Sequence, residues 1–413
     1  MGFGQGVSGI NAAASNLDVI GNNIANANTV GYKQSTAQFA DVYAGTKIGL
    51  GTTVNSVVQS FNQGNIESSG SALDVAITNG NGFFRLTDSS GSVFYSRNGQ
   101  FQRQQDGRIT NAQGLQLSGY PAGATGGGAV QPQPLVVPNT TMAAKATTTL
   151  GVSFNLDSGS KVPGAAFASA PGALPTSNMY NYSTGVTVYD SLGNARQLTA
   201  YFSTGTPGAG TFPAAGGGGT DWTMNLTDAA GNVVGAPITL KFDSKGTLQV
   251  PGAGATTTIN IAASNGAAPL AIAMDLTGTT QFAGASDTKP PVQNGYTAGS
   301  LLGFAIQPDG TILGSYSNQQ KQSLGQVVMA GFGNTQGLKP EGNNVWSETG
   351  ASGQAVIAAP GGSLGQLKSN AVEASNVDLS GQLVSLIVAQ RNYQANAQTI
   401  KAQDTVMQTL VNL

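Results

Sequence analysis

The sequence predicts an α+β fold, mainly β, with terminal α-helices forming a coiled-coil-like core and two nested β domains between them. Three observations carry that expectation. Apolar residues recur every seven positions near both ends, which is the spacing of a helical seam. Apolar and polar residues alternate through most of the interior, which is the spacing of half-buried strands. Turn-forming Asp-x-x-Gly and Asn-Gly steps, with longer Gly/Ala/Pro-rich runs, separate the alternating stretches.

Residues 1–32 read as an N-terminal helix and turn. Ile10, Leu17 and Ile24 fall seven apart, and Ala13, Ile20 and Ala27 follow each by three. Asn22, Asn23, Asn26, Asn28 and Gly31 read as the turn that joins this helix to the connecting segment 33–70. The start, Gly2 to Gly9, is rich in glycine, and each helical Gly costs about 1 kcal/mol against Ala. Its first turns are therefore expected to need neighbours that pack on them.

The outer β domain begins over 71–144. Leu73, Val75 and Ile77, then Phe84 and Leu86, then Val93 and Tyr95 alternate, with turns at Asn79-Gly80, Asp88 to Gly91, Asn98-Gly99 and Asp106-Gly107. A second β domain is inserted at 145–285, its strands joined by Asp190 to Gly193, Asp228 to Gly231 and Asp243 to Gly246. The outer domain is completed over 286–362, where Leu302, Phe304 and Ile306 precede Pro308-Asp-Gly310. Gly/Ala/Pro-rich runs at 121–134, 158–176 and 204–220 bury too little apolar surface for a core and read as loops.

Residues 363–413 hold the C-terminal helix. Leu379, Leu386, Tyr393, Ile400 and Met407 recur every seven residues, with Leu383, Ala397 and Val411 at i+4 positions. Ser375 to Asp378 supply a cap and a carboxylate at the helix start. At 1.5 Å per residue the helix reaches roughly 55 Å. Asp18 is the N-terminal helix's sole charge, and the C-terminal one presents glutamines where surface helices normally carry Lys–Glu pairs. Such faces suit helices surrounded by helices, or ones lining a water-filled passage; an ordinary pair within one chain also satisfies the pattern.

Composition removes many chemistries. Of 413 residues only 9% are charged, and there is neither His nor Cys. Catalytic triads, Cys–His dyads, His/Cys zinc sites and disulfides are thereby excluded. The net charge of −2 leaves no electrostatic footprint for nucleic acid or an anionic membrane. The most apolar stretch, Leu383 to Ala389, is far short of the ~20 residues that span a bilayer. The N-terminus lacks the basic and apolar regions of a secretory signal. Gly4-Gln-Gly6-Val-Ser-Gly9 matches G-x-G-x-x-G only literally, with no strand before it and no acidic residue twenty positions on. The Asp-x-x-Gly steps sit between strands with one carboxylate each, as hairpin turns rather than calcium loops. No catalytic, cofactor or metal site is expected, and no enzyme.

Asn16 to Lys33 resembles the N-terminal signature of the bacterial flagellar rod and hook axial protein family. Ser375 to Ser380 and Gln390 to Ala397 are similar to its paired C-terminal signature. Asn79 to Phe84 and Tyr95 to Gly99 resemble the outer β domain of rod and hook members, while Val188 to Asn194 and Asn294 to Gly303 are more particular to hook members. The resemblance implies a structural subunit of the flagellar hook. Copies would polymerise into a curved tube that acts as a universal joint, transmitting torque from rod to filament around a central export channel. A distal rod or junction component is the alternative within the family. By the same resemblance Ile10, Leu17, Ile20, Ile24, Leu379, Leu383, Leu386, Tyr393, Ile400 and Met407 form the assembly interface. The implied partners are further copies in an open helical tube, the rod, the hook cap, the hook–filament junction proteins and the export apparatus, with no nucleic acid and no membrane. The implied location is the extracellular hook, reached without a cleaved signal peptide.

Overall fold

The computed structural model describes residues 3–43, 49–124, 130–138, 140–205, 220–252 and 254–411. Gly2, Leu413 and parts of two expected loop runs, 125–129 and 206–219, lie outside the described residues. The protein is mainly β, with one long helix near each end. It divides into two compact units, one comprising Met1–Asn139, Leu302–Ser315 and Lys321–Leu413, the other Thr140–Leu301 and Tyr316–Gln320.

In the first unit helix α1 (Phe3–Ala25) runs antiparallel along α2 (Leu379–Val411). The direction follows from the contacts: Gly6 meets Ile400 at one end, and Asn23 meets Gln382 at the other. Strands β1 (Ser35–Val42) and β2 (Gly51–Gln59) form an antiparallel hairpin, Ser35 opposite Gln59 and Val42 opposite Gly51, with a register shift after Gln38. The hairpin packs against α1.

The main sheet of this unit runs, in spatial order, through 301–306, 311–316, 321–327, 116–121, 83–87, 93–96, 345–347 and 339–342. The alternation expected around Phe84 and Leu86 buries both side chains completely. On the opposite face Phe83, Phe61, Trp346, Phe332 and Tyr95 pack edge to face, with ring centroids 4.8–5.9 Å apart. Such edge contacts add about 0.5–1.5 kcal/mol per pair beyond area burial. Two short antiparallel pairs, Ile66–Ser68 with Ala371–Glu373 and Val75–Thr78 with Gln366–Ser369, bind the chain soon after β2 to the chain just before α2. The two ends thus leave the β structure side by side, which is why two helices 353 residues apart can pair (Ala25 to Leu379 spans 354 positions).

The second unit contains an antiparallel meander of Tyr182–Tyr189, Ala195–Thr204, Thr220–Asp228, Ile238–Phe242 and Leu248–Val250. Three of its turns repeat one device. The carboxylates of Asp190, Asp228 and Asp243 each accept from the backbone N–H groups two and four residues on, at 2.8–2.9 Å. Gly193, Gly231 and Gly246 take φ of 75–89°, the left-handed position these turns require. Phe154, Leu156, Phe202, Trp222, Leu240, Phe242 and Ile272 fill the core beneath. Burying each large apolar side chain contributes about 1.5–3 kcal/mol, so this unit carries a core of its own.

Candidate functional site

Asp378 caps α2: its carboxylate accepts from the Ser380 N–H at 3.1 Å, and its carbonyl receives the first helical bond, from Gln382, at 2.9 Å. Along α2 the side turned toward α1 follows alternating steps of four and three. Gln382 and Ala389 are buried, while Leu386, Asn396, Ile400 and Gln403 are half-buried. On α1, Ile20 is buried and Ile10, Leu17 and Ile24 are half-buried. A Cβ on Gly6 would stand 2.8 Å from Ile400 Cγ1, and one on Gly9 would stand 2.7 Å from Asn396 Oδ1. At these two positions a side chain would therefore displace the Ile400 or Asn396 side chain of α2.

The expected seam residues separate into two sets. Ile10, Leu17, Ile20, Ile24, Leu386 and Ile400 lie at least partly covered within the chain. Leu379, Leu383, Tyr393 and Met407 are exposed, at 39–62% of their surface. Sequence reasoning passed over Val384, Ile387 and Val388, which are also more than half exposed. With Leu383 they occupy positions i, i+1, i+4 and i+5, forming a two-turn apolar ridge. It placed Gln382 and Gln403 on the face away from the seam, whereas Gln382 is buried against Asn23 of α1 and Gln403 is half-buried, and it passed over Ala389 and Asn396 as packing positions. The signal was present, since 382, 389, 396 and 403 keep the same seven-residue period, but with small or amide side chains.

The asparagine turn is likewise divided. Asn23 is 1% exposed and makes four bonds. Its Nδ2 donates to Ser35 O (2.7 Å) and Gln382 Oε1 (3.2 Å), and its Oδ1 accepts from Tyr32 Oη (3.1 Å) and Ser35 N (2.9 Å). Asn26 bonds locally, donating to Asn22 and accepting from Thr29 Oγ1. Asn22 and Asn28 are exposed. Gly31, at φ +72°, donates to Glu373 O, and a Cβ there would stand 2.6 Å from Asn98 N.

A buried charge cluster holds the bases of the two helices. Glu373 accepts from Lys33 Nζ at 2.6 Å, from Gly64 N at 2.8 Å and from Arg97 Nη1 at 3.4 Å, and all three charged side chains are fully buried. Lys33 also donates to Asn62 O, Arg97 donates to Gly80 O, and the guanidinium lies 5.2 Å from the centre of the Phe83 ring. Burial pushes the pKa of Lys33 down, against the opposing pull of Glu373, and does the same to Arg97. One carboxylate thus joins the segment after α1, the segment after β2, the sheet and the strand before α2. Sequence reading gave no sign of this cluster. Among the described residues no group of acidic side chains is placed to hold a metal ion, and no helix is long and apolar enough to cross a membrane.

Four family profiles match the chain in order. They are the flagella basal body rod protein at 5–33, the flagellar hook protein FlgE/F/G D1 domain at 76–154, the flagellar basal body protein FlaE D2 domain at 155–296, and the flagellar basal body rod FlgEFG protein C-terminal region at 368–413. The chain is 48% identical over 419 residues to flagellar hook protein FlgE of Escherichia coli K12, and 46% identical over 422 residues to that of Salmonella typhimurium, with both chains covered in full. It is 31% identical over 472 residues to flagellar hook protein FlgE of Treponema pallidum, across 99% of this chain and 98% of that one. The crystal structure of Helicobacter pylori flagellar hook protein FlgE2 shares the fold, with a TM-score of 0.54 and 14% identity over 74% of this chain and 98% of that one.

Proposed function

The chain belongs to the flagellar hook protein FlgE family, and from that membership we propose that it polymerises into a curved tube working as a universal joint around a central export channel. It is a structural subunit of the flagellar hook, and its place is the flagellum. The observation that supports polymerisation through the helices is the ridge on α2. Leu379, Leu383, Val384, Ile387 and Val388 expose 46–62% of their surfaces, and no charged residue stands between Leu379 and Gln390. An uncharged apolar stripe of this kind marks an interaction surface.

An open tube grows by one contact repeated without closure, so each copy must present two unlike surfaces. The terminal helices, with the expected seam residues that remain exposed, form the inner wall, and the amide-rich later turns of α2 face the channel. The rod, the hook cap and the hook–filament junction proteins meet the tube at its ends. The chain reaches the outside through the export apparatus without a cleaved signal peptide. The joint carries torque by allowing outer domains to shift against one another, which a chain with 9% charged residues does with few ion pairs to fix one register. No catalytic step is part of this role.

Electron microscopy of polymer grown from the purified chain tests the reading, together with restoration of swimming in a hook-deficient cell. Curved tubes with an axial channel and restored motility are expected. Straight solid rods, or a chain that restores no hook, overturn it.

A further inference from the structure

The first unit contains a groove of about 510 Å³ between the paired helices and the β1–β2 hairpin. Gly9, Ala12, Ala13, Ala389 and Ala395 line it, with Phe39 of β1 on the hairpin side. Four amide side chains and the Gly51–Thr52 start of β2 complete the lining, and none of its residues is charged. The groove is already formed in the single chain, because the hairpin is tied to α1 near the end where Val42 pairs with Gly51. Gln5 Nε2 donates to Gly49 O at 2.6 Å, and Thr52 N donates to Ser8 Oγ at 3.3 Å.

Resting on the assembly reading above, we infer that this groove receives the α2 ridge of a second copy of the chain. Three observations point to that occupant. First, the two surfaces are unlike in the way an open array requires: large branched side chains at Leu383, Val384, Ile387 and Val388, against glycine and alanine. Small residues let a neighbouring helix approach closely, and a ridge of large side chains fills the space they leave. Second, the ridge and the groove are both free of charge, so docking desolvates no unpaired ion. Third, the groove begins at Ala389, immediately after Val388, on another face of the same helix. A copy seated in one groove therefore presents its own groove beside the contact, and the same step repeats without closing. Phe39, 44% exposed in the single chain, becomes covered by the incoming helix.

The absence of native cysteine makes the contact readable by cross-linking. Ile387→Cys and Phe39→Cys chains, prepared separately, are co-polymerised and treated with a short bismaleimide. The expected product is a 387-to-39 dimer in tubes and its loss in dilute monomer; the double variant should give a ladder of multimers. Tubes that yield only 387-to-387 links, or none, overturn the inference and leave hook assembly itself standing. As an independent reading, Ala395→Trp fills the groove from an exposed position of α2. It should abolish tubes with no shift in the melting of the monomer, and normal tubes from this variant overturn the inference. Failure of the unmodified chain to form tubes instead refutes the assembly reading on which the inference rests.

Discussion

Glu373 pairs with two fully buried cations, Lys33 and Arg97. A buried charge left without its partner costs about 3–5 kcal/mol. Glu373→Gln keeps the shape but leaves Lys33 and Arg97 uncompensated, so its unfolding free energy should fall by about 3–5 kcal/mol and its denaturation midpoint should fall with it. A midpoint within experimental error of the parent would show that water or backbone carbonyls satisfy the cations instead. The turn carboxylates act in the opposite setting, near solvent. The Thr247 hydroxyl, then the Thr247 and Lys245 N–H groups, hold the Asp243 carboxyl below its usual range; Thr277 does the same for Asp275. A carboxyl with a lower pKa when folded stabilises the fold above its unfolded pKa, about 3.9, and that contribution is lost as pH falls through the folded value. The melting temperature should therefore drop on acidification below about pH 4. Asp243→Asn should flatten that dependence, and an unchanged acid slope would refute the assignment.

Within α2, two adjacent residues have different roles. Leu386 is half-buried on the side turned toward α1, whereas Ile387 is 51% exposed on the ridge. Leu386→Asp places a carboxylate between the helices and should release α1, read as faster amide exchange in both helices, and also prevent polymerisation. Ile387→Asp should leave exchange in the monomer unchanged and prevent polymerisation alone. Equal exchange profiles for the two variants would mean that the helix pair does not use Leu386. The glycines of α1 follow the same logic. In solvent Gly6 and Gly9 would weaken the helix by about 1 kcal/mol each, but here they allow Ile400 and Asn396 to approach.

The molecule as a whole has separate cores. The buried cluster from Leu150 to Leu276 lies wholly in the second unit, and the aromatic cluster around Phe83 and Trp346 in the first. Lys145 and Tyr296 are ladder partners, each N–H donating to the other's carbonyl at 2.9–3.0 Å. Joining these two residues through a short Gly/Ser linker removes the second core at a point where the chain ends already meet. The shortened chain should melt cooperatively and still form tubes through its helices. On the proposed assembly the removed strands would supply outer surface, so the tubes should be straighter than those of the full chain. Micrographs showing the same curvature would assign bending to the remaining β unit.

The sequence by itself determined the helical ends, the alternating strands and the Asp-x-x-Gly turns, because each depends on residues within one or two turns of chain. Asp190, Asp228 and Asp243 could be read as turns since their partners lie two and four residues away. The tertiary structure alone decided which seam residues are covered. Leu386, Ile400 and Met407 share one position of the heptad repeat, yet α1 begins at Phe3, and Gly6 already stands against Ile400. Met407, two turns further along, is 62% exposed. The ridge at Val384, Ile387 and Val388 was invisible for a related reason: its pattern fits no intramolecular seam, and only its exposure marks it. The Lys33–Glu373–Arg97 cluster was equally hidden, since Lys33 and Glu373 are 340 residues apart and ordinary in their local surroundings. Periodicity records which face of an element is apolar. Which neighbour covers that face depends on where strands hundreds of residues apart bring the two chain ends together.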